Sequence, residues 1–170
     1  YTTATGGAQY YEVLTRVRFG RFADILAMKG DDTENPIFKG FWDFGQGYAH
    51  LRAGHPSLAR GFLKAIEEGR ASAPEAAQFR GHTASDLLGI VGDILGGEIL
   101  REEGRTAAAI ESFERALVIE DGLRYDEPEP LPFSVRDWLG AILLEVDRPA
   151  DAEAVYRAGV DDHPFNGWSL

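Results

Sequence analysis

The chain contains no cysteine, which excludes disulfide staples and thiolate metal sites and leaves its redox compartment unmarked. Long apolar runs are missing as well. Nothing approaches the ~20 residues of a membrane-spanning helix, and no leader-like segment opens the sequence. Basic residues are in the minority, 17 against 28 acidic, for a formal net charge of −11. Nucleic acid and anionic membranes both attract proteins through clustered Lys and Arg, so neither is an expected partner. Alternating β-branched runs bounded by turns are also scarce, and strands are not expected. None of this fixes a compartment; with no targeting segment in view, the cytoplasm is the default. The chain starts at Tyr1 without a methionine, the expectation being a processed protein or a piece excised from a longer one.

What is present is ordinary globular composition, 44% hydrophobic and 26% charged over 170 residues, enough for one domain (1–170) with a core of its own. Apolar residues recur at helical spacing and are interrupted by turn-forming segments: Gly20, "GDDTENP" (30–36), "AGHPS" (53–57), "SAPEA" (72–76), Gly104, "YDEPEPLP" (125–132), "DRP" (147–149) and "HPFNG" (163–167). Between them the pattern predicts eight helices, near 7–19, 21–29, 36–53, 56–70, 76–103, 106–123, 133–146 and 149–162. Pro36, Pro56 and Pro149 stand where a first helical turn tolerates proline, and Thr106 can cap the helix that follows it. Short connections imply antiparallel neighbours, hence an all-α stack of hairpins over units 7–29, 36–70, 76–123 and 133–162.

Those hairpins share a register. Counting from Gly47, Gly97 and Gly140, the residue seven places on is a turn former: Gly54, Gly104 and Asp147. Twelve places on stands alanine, as Ala59, Ala109 and Ala152, and sixteen places on a large side chain, as Leu63, Phe113 and Tyr156. A small residue on each of two antiparallel helices lets them approach closely. The turn residue ends the first helix in a left-handed backbone conformation that favours Gly and tolerates Asp. The bulky residue lies one turn beyond the alanine, in the hairpin core.

This anchor set, with Pro164 at plus twenty-four in the last unit, resembles the tetratricopeptide repeat. It is carried by "FWDFGQGYAHLRAGHPSLARGFLKAI" (41–66), "VGDILGGEILREEGRTAAAIESFERA" (91–116) and "SVRDWLGAILLEVDRPADAEAVYRAGVDDHP" (134–164). A degenerate first unit (10–27) keeps Gly20 at the turn but has Val13 and Ile25 at the two small positions. The anchors are spaced by 50 and then 43 residues, wider than the ~34 of the type repeat. The surplus falls in 71–82 and 122–132. "RFGRFADIL" and the segment from "LRYDEPEPLP" onwards are also similar to a group of uncharacterised bacterial tetratricopeptide proteins, in which the array continues. On that likeness "NGWSL" (166–170) reads as the opening of another repeat helix. The resemblance implies a right-handed superhelix of hairpins and an interaction scaffold, and it supplies no catalytic residues and no cofactor.

Motif by motif, chemistry finds little purchase. "GIVGDILGG" (89–97) has four glycines in nine residues, yet no Lys-Ser/Thr follows, and the spacing is not that of a dinucleotide loop. Leu87, Val91, Ile94 and Leu95 instead share one helical face, so these glycines read as close-contact positions. His50, His55, His82 and His163 form no metal-ligand motif, and none of the serines sits in a nucleophile elbow. The chain is therefore not expected to be an enzyme. "YDEPEPLP" reads as a stiff connector setting the angle between the third and fourth hairpins.

As the resemblance implies, binding would use the groove lined by the first helix of each hairpin. Its expected residues are Phe44, Tyr48 and Arg52 from the second unit, Glu98 and Arg101 from the third, and Asp137 and Ala141 from the fourth. An aromatic patch beside Arg and Glu can hold a peptide or a protein surface. The alternative for Phe41 and Phe44 is that they cover a neighbouring helix, while Trp42 and Trp138 are expected at hairpin contacts. Two other functions are carried alongside: a regulatory or ligand-handling segment of a larger enzyme, and a self-association module forming a homodimer through uncovered terminal hairpins.

Overall fold

The computed structural model of the protein describes residues 8–30 and 33–162. The expected repeat opening at 166–170, with His163 and Pro164, lies outside them. Among the described residues the chain is all-α apart from one short ribbon. Its eight helices are α1 (Ala8–Arg18), α2 (Phe22–Ala27), α3 (Pro36–Arg52), α4 (Pro56–Ser72), α5 (Ala84–Glu102), α6 (Thr106–Asp121), α7 (Arg136–Glu145) and α8 (Pro149–Asp162). The ribbon pairs β1 (Gln78–Phe79) antiparallel with β2 (His82–Thr83). Successive helices pack as hairpins, α1 on α2, α3 on α4, α5 on α6 and α7 on α8; between hairpins α1 and α2 pack on α3, α3 and α4 on α5, and α6 on α7, and a single apolar core runs from Tyr10 to Ala152.

The four hairpin turns are built alike. Gly20, Gly54, Gly104 and Asp147 all take positive φ, 64°, 81°, 72° and 57°. In each case the next residue donates its N–H to a carbonyl five residues back: Arg21 to Arg16, His55 to His50, Arg105 to Leu100 and Arg148 to Leu143. The turn residue itself donates to the carbonyl three back. These paired bonds satisfy carbonyls left open at the helix end. The second helix then starts within two residues, with proline at its first position in α4 and α8, where a missing N–H costs nothing. Thr106 is the first residue of α6 rather than its cap; Arg105 holds the cap position and makes no side-chain cap bond.

The repeat glycines of the third and fourth units lie against rings. A Cβ on Gly97 would stand 2.8 Å from Phe113 Cδ1, and one on Gly140 2.6 Å from Tyr156 Cε1. The expected pairing of Gly97 with Ala109 is thus corrected: the aromatic sixteen residues on lies flat over the glycine. Ala59, Ala109 and Ala152 are fully buried. In the second unit Gly47 instead meets Phe62 and Leu95. The first unit inverts the arrangement. It has Val13 in place of an anchor glycine, and Gly45 of α3 gives way to Val13 and Ile25. Gly89, Gly92 and Gly96, which the repeat does not require, admit Arg70 and Ile119, Ile66, and Leu63 respectively. The nine-residue stretch is accordingly interior helix, approached from both sides by α4 and α6.

The largest departure from expectation is at 76–83, where ribbon replaces helix. Arg80 and Gly81 both have positive φ, 54° and 85°, the requirement of the tightest hairpin turn. Helix α5 begins only after Thr83, whose Oγ1 caps it by accepting from the Asp86 N–H (3.1 Å) and is itself fixed by donating to the Asp86 carboxylate (2.7 Å). The connector 125–132 is likewise more than a spacer. Leu131 and Phe133 are buried, Tyr11 of α1 donates to the Glu129 carbonyl (3.1 Å) and Arg18 to that of Pro132. Glu120, at the end of α6, accepts from the Val135 N–H (2.9 Å) and the Ser134 hydroxyl (2.9 Å), anchoring the start of α7.

Candidate functional site

The expected groove residues divide between interior and surface. Phe44 is 0% exposed, Glu98 1% and Tyr48 7%. Phe44 is covered from within the chain by Phe133 of the connector, with ring centroids 5.8 Å apart, and Phe41 lies edge-on to Phe79 of the ribbon at 6.4 Å. Both aromatics therefore do cover neighbouring elements. Tyr48 stacks on Phe22 (5.4 Å, 10° between planes).

A polar ladder crosses the same face. Trp138 Nε1 donates to the Tyr48 hydroxyl, which donates to Glu98 Oε2; Arg101 Nη1 donates to Glu98 Oε1 and Arg101 Nε to Glu145 Oε2, each at 2.9 Å. Beside it, Arg52 donates to Glu102 at 2.8 Å, with both side chains largely in solvent. The contacts follow the repeat register: Tyr48 and Glu98 each lie one residue after their anchors, Arg52 and Glu102 each five after. Burial and the Glu98 charge push the Tyr48 phenol far above its ordinary value. Arg101 is held firmly charged: burial works against the charge, but its bonds to Glu145 and Glu98 outweigh it.

Four of the expected residues, Tyr48, Arg101, Asp137 and Ala141, come together around one cavity of about 390 Å³. Its remaining wall comes from elements far apart in the chain. Val17 and Arg18 arrive from α1, Phe22 from α2, Phe133 from the connector, Trp138 from α7 and Tyr156 from α8. Trp138 meets Phe133 edge to face at 5.0 Å, so the rings support one another as well as the hollow. Such a volume, mostly apolar with few polar groups, is the size and character of a ligand or side-chain pocket. Burial raises the Asp137 carboxyl above its usual range, against the Arg18 charge and a backbone bond from Ser134. Burial and the Asp137 charge together raise the Tyr156 phenol. Arg52 lies outside this wall. Arg18, Phe22, Phe133, Trp138 and Tyr156 were not expected in it, and only the aromatic at plus sixteen in the last unit signalled that a ring would lie near Gly140.

The other chemistry-bearing residues are taken up by packing. His50 stacks on Phe62 at 5.7 Å. His82, in β2, is buried, its Nε2 3.8 Å from Asp126, which Arg80 holds through two bonds. Among the described residues no group of three or more His, Asp or Glu is placed to hold a metal ion. Neither is any helix there long and apolar enough to cross a membrane. Comparison with family models, curated proteins and solved structures finds no match to this chain.

Proposed function

We propose that this chain is a tetratricopeptide-type array, a right-handed superhelix of hairpins acting as a non-catalytic scaffold, and that it binds a peptide or protein partner through the face carrying the cavity. The observation that carries the reading is convergence: four residues that the resemblance places in the groove line one hollow. Contacts between like positions of successive units support the stacked arrangement, since Tyr48 meets Glu98 and Arg52 meets Glu102. The polar groups in the wall suit a binding surface. Tyr48 and Arg101 are already saturated by Trp138, Glu98 and Glu145, so they shape the pocket and do not await a reaction. The partner engages the pocket with one projecting side chain and lies across the outer ends of α5 and α7.

A displayed random peptide library panned on the protein tests this. Ala141 is a small wall residue at the mouth, and Ala141→Trp fills the hollow from a half-exposed position. Peptides retained by the wild type and lost by this variant, with its thermal melt unchanged, are the expected result. Peptides that bind both forms equally would place the binding surface elsewhere.

A further inference from the structure

The charged side chains in the cavity wall are Arg18, Arg101 and Asp137, an excess of one positive charge. Arg101 is bonded to Glu98 and Glu145, two carboxylates outside the lining. Arg18 donates to the Pro132 carbonyl and has Asp137 close enough to stabilise its carboxylate. Nε of Arg18 and Oδ1 of Asp137 are both sealed from solvent, so neither reaches a ligand. A cation entering the hollow would therefore meet two guanidiniums. An anion would find one of them already neutralised by two carboxylates and the other set beside Asp137. Either would lose its hydration for little return. The rest of the wall is mainly rings: Phe22, Tyr48, Phe133, Trp138 and Tyr156. They already meet edge to face, Trp138 with Phe133 at 5.0 Å and Trp138 with Tyr48 at 6.4 Å.

Rings and guanidiniums ask different things of an incoming group. A ring face is partly negative and attracts the positive edge of another ring. A guanidinium attracts the negative face. An aromatic side chain offers edge and face together and brings no net charge to desolvate, whereas an aliphatic one of equal bulk offers neither. We propose that the cavity is a receptor for an aromatic side chain projected by the partner. The incoming ring extends the edge-to-face series that Phe133, Trp138 and Tyr48 begin, with the positive lining beside it. At about 390 Å³ the hollow falls in the range that holds whole small ligands, so the bulkiest side chains enter without rearrangement.

This inference rests on the cavity being the binding site proposed above, and the test separates the two. Each peptide whose binding Ala141→Trp abolishes is resynthesised with every aromatic residue in turn replaced by cyclohexylalanine. That residue keeps a six-membered apolar ring and removes the π electrons. One replacement should weaken binding by about threefold or more, as loss of ring–ring contacts does. Equal or tighter binding of every cyclohexylalanine peptide would overturn the aromatic receptor and leave the cavity as the site. Selected peptides that contain no aromatic residue, or whose binding is lost only with a charged one, would overturn it in the same way. A dimer of the protein alone that Ala141→Trp dissolves would put a second copy in the hollow and overturn it too. Failure to recover any peptide sensitive to Ala141→Trp would overturn both readings.

Discussion

Replacing Gly97 by alanine adds one methyl group at a point where the structure has no room for it. The new Cβ would stand 2.8 Å from Phe113 Cδ1 and closer still to Cε1, whereas carbon contacts settle at about 3.5–4.0 Å. Phe113 is 0% exposed, so the ring cannot swing into solvent, and α5 and α6 must part. Overpacking of this kind costs about 1–3 kcal/mol, while exchanging glycine for alanine within a helix returns about 1 kcal/mol. The net loss is up to about 2 kcal/mol, largest when the hairpin cannot relax. Gly61 supplies the control: it lies in α4 with nothing within 4 Å of its would-be Cβ. There the same exchange should stabilise by about 0.5–1 kcal/mol. Thermal unfolding followed by circular dichroism separates the two, at roughly 2–4 °C per kcal/mol for a chain of this size. Gly97→Ala should lower Tm while Gly61→Ala raises it. In a Phe113→Leu background the penalty at Gly97 should shrink, since the ring that collides is gone, with a coupling of at least about 0.5 kcal/mol. If Gly97→Ala stabilises as much as Gly61→Ala, or if the two changes at 97 and 113 simply add, the ring does not lie over the glycine as described.

Arg101 in the polar ladder and Arg52 beside it should behave differently. Arg52→Met removes an exposed pair and should cost at most about 1 kcal/mol. Arg101→Met strands Glu98 in the interior and should cost about 3 kcal/mol or more, both read as shifts in urea midpoint; equal losses would mean that Glu98 does not depend on Arg101. For the same reason, charge reversal at Arg101 would measure folding rather than partner binding. Tyr48→Phe deletes the hydroxyl between Trp138 and Glu98 and should cost about 1–3 kcal/mol, a value that a neutral outcome would contradict. Burial drives the Glu120 carboxyl from 4.5 up to about 7, against the bonds from Val135 and Ser134 and the charge of Arg136. Because the folded value lies above the unfolded one, the folded chain holds the extra proton between these limits. The contribution of Glu120 to stability is therefore fully present below pH 4.5 and is lost as pH rises through about 7. Glu120→Gln should flatten this limb of the stability curve between those values, and an unchanged slope would show that Glu120 is not its source.

The parts of this fold that were legible in the sequence are those governed by local rules. Left-handed turn residues at Gly54, Gly104 and Asp147 needed only the spacing and the preference of that backbone conformation, and prolines at 36, 56 and 149 marked helix starts for the same kind of reason. The ribbon at 78–83 was obscured because Phe79 and His82 are too few to alternate. Yet Thr83 and Asp86 formed a capping signal that a helix from 76 overrides. The glycine register pointed to close helix contact, but periodicity alone does not say whether Ala109 or Phe113 fills the space; their burial is the same and only the ring reaches Gly97. The cavity was the least legible feature. Phe22, Tyr48, Phe133 and Tyr156 meet only in three dimensions, and Phe133 enters from a segment whose prolines and acids read as solvent-exposed. Its partly closed groove is a tertiary product of Leu131 and Phe133 seeking burial, which no local pattern carries.

The central claim, that partners are read at the cavity between α2, α5, α7 and α8, is tested most directly by mapping a selected peptide onto the isotopically labelled protein by NMR. The largest shifts should fall on the Trp138 indole N–H and on the backbone amides of Phe22, Ala141 and Tyr156, with the outer face of α4 and α6 unmoved. Shifts concentrated on Leu63, Ile66 and Ser112, in the groove floored by Gly92 and Gly96, with the Trp138 resonance unmoved, would contradict it.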